Sequence, residues 1–290
     1  MKETNYNFNI ARMGKSLCVA VVSDLHAQEP STVIDSLKKK RPDYILMPGD
    51  IFEFSDKITD NRNENGFRLF DEAAKIAPAF YSIGNHENGG TGAWKPNWEN
   101  KKGKQRPLSS ETVERIKESG VTLLDDSFVL RDGIAFGGLT SGLSSDEHVP
   151  NLDWLDDFCS VDGTKILLCH HPEYYKTYLK DKKIDLIVAG HAHGGQWRLG
   201  RLAAFAPGQG IFPKYTKGVY DKRLVVSTGL KKSGRIPRIF NEPEIVYINI
   251  ADIKKIIIKI GEKHGSNTYS SETFKRQTVF GQQREKPYIF

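Results

Sequence analysis

The sequence has few cysteines, and no hydrophobic segment near its N-terminus is long enough to insert into a membrane. Its three cysteines are an odd number among 290 residues, so a framework of disulfide bonds is not expected. The apolar run Leu17–Val22 has six residues, too few for a membrane span or the core of a signal peptide. We therefore expect a cytoplasmic protein without a transmembrane segment, with peripheral attachment to a membrane as the alternative.

The chain also lacks a large excess of positive charge outside its C-terminal region. The formal net charge is +6, and residues 251–290 contain eight Lys or Arg against four Asp or Glu. Most of the basic character therefore belongs to this tail, and the remainder gives little support for a nucleic-acid-binding face. Nucleic acid is not expected as a partner, and no seam in the sequence predicts anything other than a monomer.

Short apolar runs alternate with helical patterns along the chain, which favours an α/β fold. Leu17–Ser23 is typical of a strand buried on both faces, and Ser31–Lys40 has helical spacing that stops before Pro42. We expect a polar extension at 1–16, one domain over 17–260 and a loosely held tail at 261–290. The last strands of the domain are predicted as a hairpin of Glu244–Ile250 with Ile253–Ile260.

Polar side chains that bind metals follow five of the predicted strands within a few residues. Each of these groups alone is explained by a turn, a cap or a buried histidine, but six of the eight histidines fall in these loops. Ligand sites in open α/β sheets gather at the carboxyl ends of strands. The five loops are therefore expected to surround one crevice, and their residues are Asp24, His26, Asp50, Asn85, His86, His170, His171, His191 and His193.

The chemistry of this set predicts its metal. Carboxylate, imidazole and amide ligands together suit Mn, Fe or Zn, whereas an all-oxygen set would favour Mg or Ca. There are too many ligands for one tetrahedral ion, and one carboxylate can bridge two ions. We expect two divalent cations.

The order of these motifs resembles the calcineurin-like metallophosphoesterase superfamily. Its series of Asp-x-His, Gly-Asp, Gly-Asn-His-Glu, a lone His and Gly-His-x-His recurs here between Asp24 and His193. The resemblance implies a four-layer sandwich of two mixed β-sheets flanked by helices. It also implies that Asp24, His26 and His193 hold one metal, that Asn85, His170 and His191 hold the other, and that Asp50 bridges them.

The resemblance further implies a reaction. The two cations would lower the pKa of a shared water so that hydroxide attacks the phosphorus of a phosphate ester. His86 would protonate the leaving oxygen or stabilise the charge that develops there, with Glu87 or Asp24 as the group that orients its ring. Because Gly194-Gly195-Gln196 and the stretch after it are similar to a bacterial branch of phosphodiesterases and lipid-headgroup hydrolases, a phosphodiester is the expected substrate, with a lipid-like ester as one option.

Several alternatives remain open at the level of sequence. The enzyme could act on nucleotides, nucleic acid or phosphomonoesters, and the fold could instead serve as a metal-bound scaffold without activity. A basic group, Lys231, Lys232, Arg235 and Arg238, is interpreted as a solvated loop in preference to a phosphate contact. Among the aromatic residues near the site, some are expected in the core and others along an apolar substrate groove; they are Trp94, Trp98, Trp197, Phe205, Phe212 and Tyr215.

Overall fold

Two six-stranded β-sheets pack face to face, and helices cover their outer surfaces. The computed structural model describes residues 1–10, 15–53, 61–88, 108–141, 150–200, 202–206, 209–232 and 237–252. The predicted α/β sandwich of two mixed sheets flanked by helices is confirmed.

The first sheet has the order β1-β16-β2-β3-β4-β5. Its strands are β1 Lys2–Ile10, β2 Leu17–Val21, β3 Tyr44–Pro48, β4 Ala79–Ser82, β5 Thr122–Leu124 and β16 Glu244–Asp252. Strands β2 to β5 are parallel, so their carboxyl ends lie along the same edge of the sheet. Strand β16 pairs in parallel with β1 and antiparallel with β2.

The second sheet has the order β14-β15-β9-β8-β7-β6. Its strands are β6 Ser127–Arg131, β7 Ile134–Leu139, β8 Thr164–Cys169, β9 Leu186–Ala189, β14 Gly218–Tyr220 and β15 Leu224–Val226. The four central strands β7, β8, β9 and β15 are parallel. Four short strands form two further hairpins; they are β10 Arg198–Leu199, β11 Leu202–Ala203, β12 Phe205–Ala206 and β13 Gly210–Ile211.

The continuous apolar strands are buried on both faces, as their sequence predicts. In β2, Val19 and Val21 face the second sheet, while Ala20 packs towards the helices on the outside. Phe80 and Phe136 stack across the gap between the sheets with ring centroids 4.2 Å apart. Because both faces of β2 are covered, the strand is a continuous apolar run.

The helices of the described residues include the one predicted at Ser31–Lys40. They are α1 Ser31–Lys40, α2 Glu64–Ile76, α3 Ser110–Glu118 and α4 Leu155–Ser160, with a short π-helical turn at Tyr175–Leu179. Helix α1 ends at Arg41, whose φ of 46° closes it before Pro42. The hydroxyl of Ser109 accepts a hydrogen bond from the backbone N–H of Thr112 and so caps the N-terminus of α3.

The N-terminal residues differ from the expected polar extension. They form strand β1, in which alternate residues turn inward and Phe8 and Ile10 are buried. Strand β16 pairs with β1 and β2; the predicted partner Ile253–Ile260 and the tail lie outside the described residues. Within the described parts of the chain, no helix has the length and apolarity needed to cross a membrane.

Candidate metal centre

The predicted metal-binding side chains meet where the parallel strands of the two sheets end. Asp24 and His26 follow β2, Asp50 follows β3, and Asn85 and His86 follow β4. From the second sheet, His170 follows β8, and His191 and His193 follow β9. The expected gathering of the five loops at one crevice is therefore seen in the structure.

The loops turn sharply at the predicted metal-binding residues themselves. Five of them have a left-handed backbone, with φ between 45° and 63°; they are Asp24, His26, Asp50, His191 and His193. This conformation is uncommon for residues other than glycine, and it costs free energy that the surrounding structure must supply. Five such residues lie at this one crevice. The unfavourable backbone conformations therefore occur where the side chains must be held in position.

A first group consists of Asp24, His26 and His193, all buried apart from a small part of the His193 ring. One ligand atom from each residue can be chosen so that the three lie within 4.8 Å of one another, as binding of a metal ion requires. His193 Nδ1 is 3.8 Å from Asp24 Oδ1. The backbone N–H of His191 donates to the same Asp24 oxygen over 3.0 Å, which fixes the carboxylate against the neighbouring loop.

A second group contains both histidines that follow β8. His170, His171 and His191 again offer three ligand atoms within 4.8 Å, and Asn85 Oδ1 lies 3.1 Å from His170 Nε2. His171 stacks on His191 with ring centroids 4.0 Å apart, and its Nδ1 faces Glu173 at 3.5 Å. The resemblance gives a ligand role to His170 and none to His171, whereas the structure brings both rings to the ligand group.

Asp50 lies between the two groups. Its Oδ2 is 3.1 Å from His170 Nε2 and 3.7 Å from His26 Nε2. Its Oδ1 accepts a hydrogen bond of 2.9 Å from the backbone N–H of His86, which fixes the orientation of the carboxylate. One oxygen of a single buried carboxylate thus faces a histidine from each group.

Two glycines let the backbone approach these carboxylates. A Cβ atom on Gly84 would overlap Asp50 Oδ1 and lie 2.8 Å from Glu87 Oε2. A Cβ atom on Gly190 would overlap Asp24 Oδ2 and lie 2.9 Å from Ser23 Oγ. The Gly-Asn-His and Gly-His-Ala-His motifs therefore need glycine because of space at the carboxylates.

His86 is oriented by a residue that sequence reasoning did not find. Glu53 Oε2 lies 2.9 Å from His86 Nδ1, and Glu53 Oε1 lies 2.9 Å from both His26 Nδ1 and Lys231 Nζ. His86 Nε2 is 4.0 Å from Asp50 Oδ2, on the side of the crevice. The side chain of His86 is 22% exposed, more than any other histidine in these groups, so it is the ring that a ligand can reach.

Glu87 holds the backbone and does not contact His86. Its carboxylate accepts hydrogen bonds from the backbone N–H groups of Gly84, Asp50 and Phe52, at 2.8, 3.0 and 3.0 Å. It thereby ties the loop after β4 to the loop after β3. Neither of the two orienting groups considered from sequence, Glu87 and Asp24, takes that role.

Two of the basic residues interpreted as a solvated loop reach the crevice. Lys231 contacts Glu53, and Arg238 Nη2 lies 3.5 Å from His193 Nδ1 while donating to the carbonyl of Thr228. Among the described residues, Arg238 Nη1 is buried without a hydrogen-bond partner. Lys232 is exposed, and Arg235 lies outside the described residues. The loop interpretation is therefore wrong for Lys231 and Arg238.

Burial and charge set the protonation of the histidines. Burial lowers the pKa of His26, His191 and His193 below the usual value, which keeps these rings neutral, as metal binding requires. Burial acts in the same direction on His170 and His86, but the negative charge of Asp50 outweighs it. The pKa of His170 is raised to about 10, and that of His86, which also contacts Glu53, is raised above its usual value.

A family model described as calcineurin-like phosphoesterase matches residues 18–195, a span that contains every predicted metal-binding residue. The chain belongs to this family. The family assigned from the order of the motifs is thus confirmed.

Relatives of this calcineurin-like phosphoesterase extend the similarity beyond the family model. A metallophosphoesterase of Campylobacter jejuni is 24% identical over 83% of this chain and 61% of its own length. Phosphodiesterase YaeI of Escherichia coli is 26% identical over 64% of this chain and 58% of its own length. The chain therefore spans about three fifths of each relative. The crystal structure of TT1561 of Thermus thermophilus matches with a TM-score of 0.39 and 17% identity, over 61% of this chain and 82% of that one.

The crevice of this phosphoesterase has the properties of a metal site. Among the described residues, Asp24 Oδ2, His26 Nε2 and His191 Nε2 are buried polar atoms without a hydrogen-bond partner. Such atoms are costly unless something binds them. Carboxylate oxygens and neutral imidazole nitrogens are ligands for divalent transition metals. The residues present therefore fit metal ions.

Proposed function

We propose that this calcineurin-like phosphoesterase is a binuclear, metal-dependent phosphodiesterase. The observation that carries the proposal is the position of Asp50, whose Oδ2 faces His170 at 3.1 Å and His26 at 3.7 Å. A carboxylate held between two groups of ligands is suited to bridging two cations. The similarity to phosphodiesterase YaeI supports a diester as the substrate.

In this proposal each group of residues holds one divalent cation, Mn, Fe or Zn. Asp24, His26 and His193 hold the first, Asn85, His170 and His191 hold the second, and Asp50 is shared. His170 is chosen over His171 because its Nε2 approaches Asp50, while His171 faces Glu173. Because Asp50 raises the pKa of His170, binding of the second cation is expected to release a proton from this ring.

The cations would polarise both a water molecule and the phosphoryl oxygens of the substrate. The chain itself supplies the remaining functions. His86 is the proton donor to the leaving oxygen, because it is the most accessible histidine and its pKa is raised, which favours the protonated ring. Glu53 holds the ring of His86 in one orientation, and Lys231 balances the charge of Glu53.

Arg238 is proposed as a ligand for a phosphoryl oxygen. Its Nη1 is buried without a partner among the described residues, and its Nη2 lies beside His193. A guanidinium in this position can donate to an anionic oxygen and stabilise the charge that develops there.

Hydrolysis assays after metal removal test the proposal. The protein is stripped of metal, Mn is returned, and cleavage of bis-p-nitrophenyl phosphate is compared with that of p-nitrophenyl phosphate. We expect metal-dependent cleavage of the diester, and a fall of about 100-fold or more in kcat for His86→Ala with metal content retained. Preference for the monoester would make the protein a phosphomonoesterase, and tight metal binding without turnover of either ester would refute catalysis.

A further inference from the structure

The apolar surface beside the metal centre is built from four chain segments that lie side by side. The register of β10 with β11 places Trp197 opposite Ala204, whose N–H donates to the Trp197 carbonyl over 2.9 Å. Ala204 in turn accepts from the N–H of Phe212, and Ile239 forms a β-bridge with Trp197. We name this surface the apolar ribbon; its described residues are 197–199, 202–206, 209–212 and 239–240.

The apolar ribbon exposes large side chains that a protein in water normally covers. Leu199 is 78% exposed, Leu202 65%, Ile211 75%, Phe212 76% and Phe240 85%. Leu199 and Leu202 are direct cross-strand neighbours, so their side chains share a face and lie close together. A concentration of exposed apolar residues of this kind marks a site of interaction.

The same part of the chain is strongly basic. Residues 196–240 contain ten Lys or Arg and a single acidic residue, Asp221, which gives +9 against +6 for the whole chain. Among the described residues of this segment Lys214, Lys222 and Lys232 are exposed, and Lys214 lies two residues after Phe212. The partner of the apolar ribbon must therefore accept apolar side chains and carry negative charge.

We infer that the apolar ribbon binds the surface of an anionic phospholipid bilayer. Basic and apolar side chains together are the combination that holds proteins at the membrane interface. Nucleic acid fits less well, because Phe212 and Phe240 could stack on bases but the equally exposed Leu199, Leu202 and Ile211 could not, whereas a bilayer accepts both kinds of side chain.

The apolar ribbon is joined directly to the metal centre. Trp197 lies four residues after His193, and Asn241 donates to the carbonyls of both His193 and Gln196, at 2.6 and 3.1 Å. Docking would therefore bring the centre to the headgroup layer. If the proposed function holds, on which this last step rests, the substrate class is a phosphodiester carried at a membrane surface.

Vesicle sedimentation of the full chain tests the inference. Vesicles of phosphatidylcholine alone are compared with vesicles of equal parts phosphatidylcholine and phosphatidylglycerol. We expect the protein to bind the anionic vesicles, and we expect this binding to weaken as salt is added. In the double variant Leu199→Ser, Leu202→Ser the partition coefficient should fall by about 10-fold or more. The matched control is Leu130→Ser, a leucine 62% exposed on β6, which should bind like the parent protein.

Binding and catalysis are read separately. The leucine variants do not touch the metal centre, so they should cleave soluble bis-p-nitrophenyl phosphate at the parent rate, and vesicle binding can be measured even if the parent protein cleaves no ester. The inference is overturned if the parent protein ignores anionic vesicles, if Leu130→Ser loses as much binding as the double variant, or if single-stranded DNA binds at a salt concentration at which vesicles do not.

Discussion

Glu53 is the residue whose replacement most directly tests the proposed proton donor. Its carboxylate lies 2.9 Å from His86 Nδ1, His26 Nδ1 and Lys231 Nζ. Burial alone would raise its pKa, but the two histidines outweigh burial and lower the pKa of Glu53, so the group is ionised. Glu53→Gln keeps the size of the side chain and removes the charge.

The expected effect follows from the lost contact to His86. A carboxylate that orients a functional histidine through a hydrogen bond to its second ring nitrogen typically contributes about 10–100-fold to activity. The kcat of Glu53→Gln should therefore fall by about that factor. The variant should also lower the pKa of His86, because one of the groups that raises it is gone. Since the protonated ring is the donor, activity is lost as pH rises through this pKa. The alkaline limb of the kcat profile should therefore move to lower pH.

The assay combines a pH series of bis-p-nitrophenyl phosphate cleavage with metal analysis of each variant. Glu72→Gln is the matched control, because this glutamate pairs with Lys38 and Lys75 on the surface. An unchanged kcat and alkaline limb in Glu53→Gln would refute the role assigned to His86. Loss of metal in proportion to kcat would show that Glu53 acts through His26 instead.

Three further predictions follow from the metal centre and the fold. Asp50→Asn should weaken metal binding by about 100-fold or more, measured as metal retained after dialysis, whereas Asp71→Asn at the surface pair with Arg115 should retain it. Gly84→Ala should cost about 1–3 kcal/mol of stability and reduce the metal content, because the added Cβ would overlap Asp50. Gly133→Ala is the control, since an added Cβ there meets nothing within 4 Å, and it should bind metal normally. Equal metal content in the two variants would contradict this reasoning. Burial raises the pKa of Asp126 to about 6 from 3.8, so its stabilising effect is present at low pH and is lost as pH rises from about 4 through 6; Asp126→Asn should flatten that part of the curve of unfolding free energy against pH, and an unchanged curve would refute the shift.

Motifs of short range in the sequence were the ones that could be predicted. Asp24-x-His26 and His191-x-His193 lie directly after buried strands, and the rule that parallel strands end at one edge was enough to bring them together. Glu53 was not found in this way, because it lies three residues after Asp50, outside the motifs, and only the structure shows its contact with His86. Strand β1 was missed because its mean polarity hides the alternation of Phe8 and Ile10 with exposed residues.

Charge was misjudged for a related reason. The whole-chain sum assigned the basic excess to residues 251–290, although residues 196–240 hold ten Lys or Arg against one Asp. The remainder of the body is net acidic and cancels this segment in the total. Summing charge over the whole chain therefore hid the basic segment 196–240, which contains the apolar ribbon.

The proposed metal centre lies between the two sheets, so metal binding would depend on the folding of both. Asp24, His26, Asp50 and Asn85 belong to the first sheet, whereas His170, His191 and His193 belong to the second. In the proposed metal centre neither sheet supplies all the ligands by itself, so the cations would bind the unfolded chain more weakly than the native protein. Because a ligand that binds only the native state stabilises it by mass action, the midpoint of thermal unfolding should rise with the logarithm of the free metal concentration. Bound cations would then couple the two sheets, so that they unfold together.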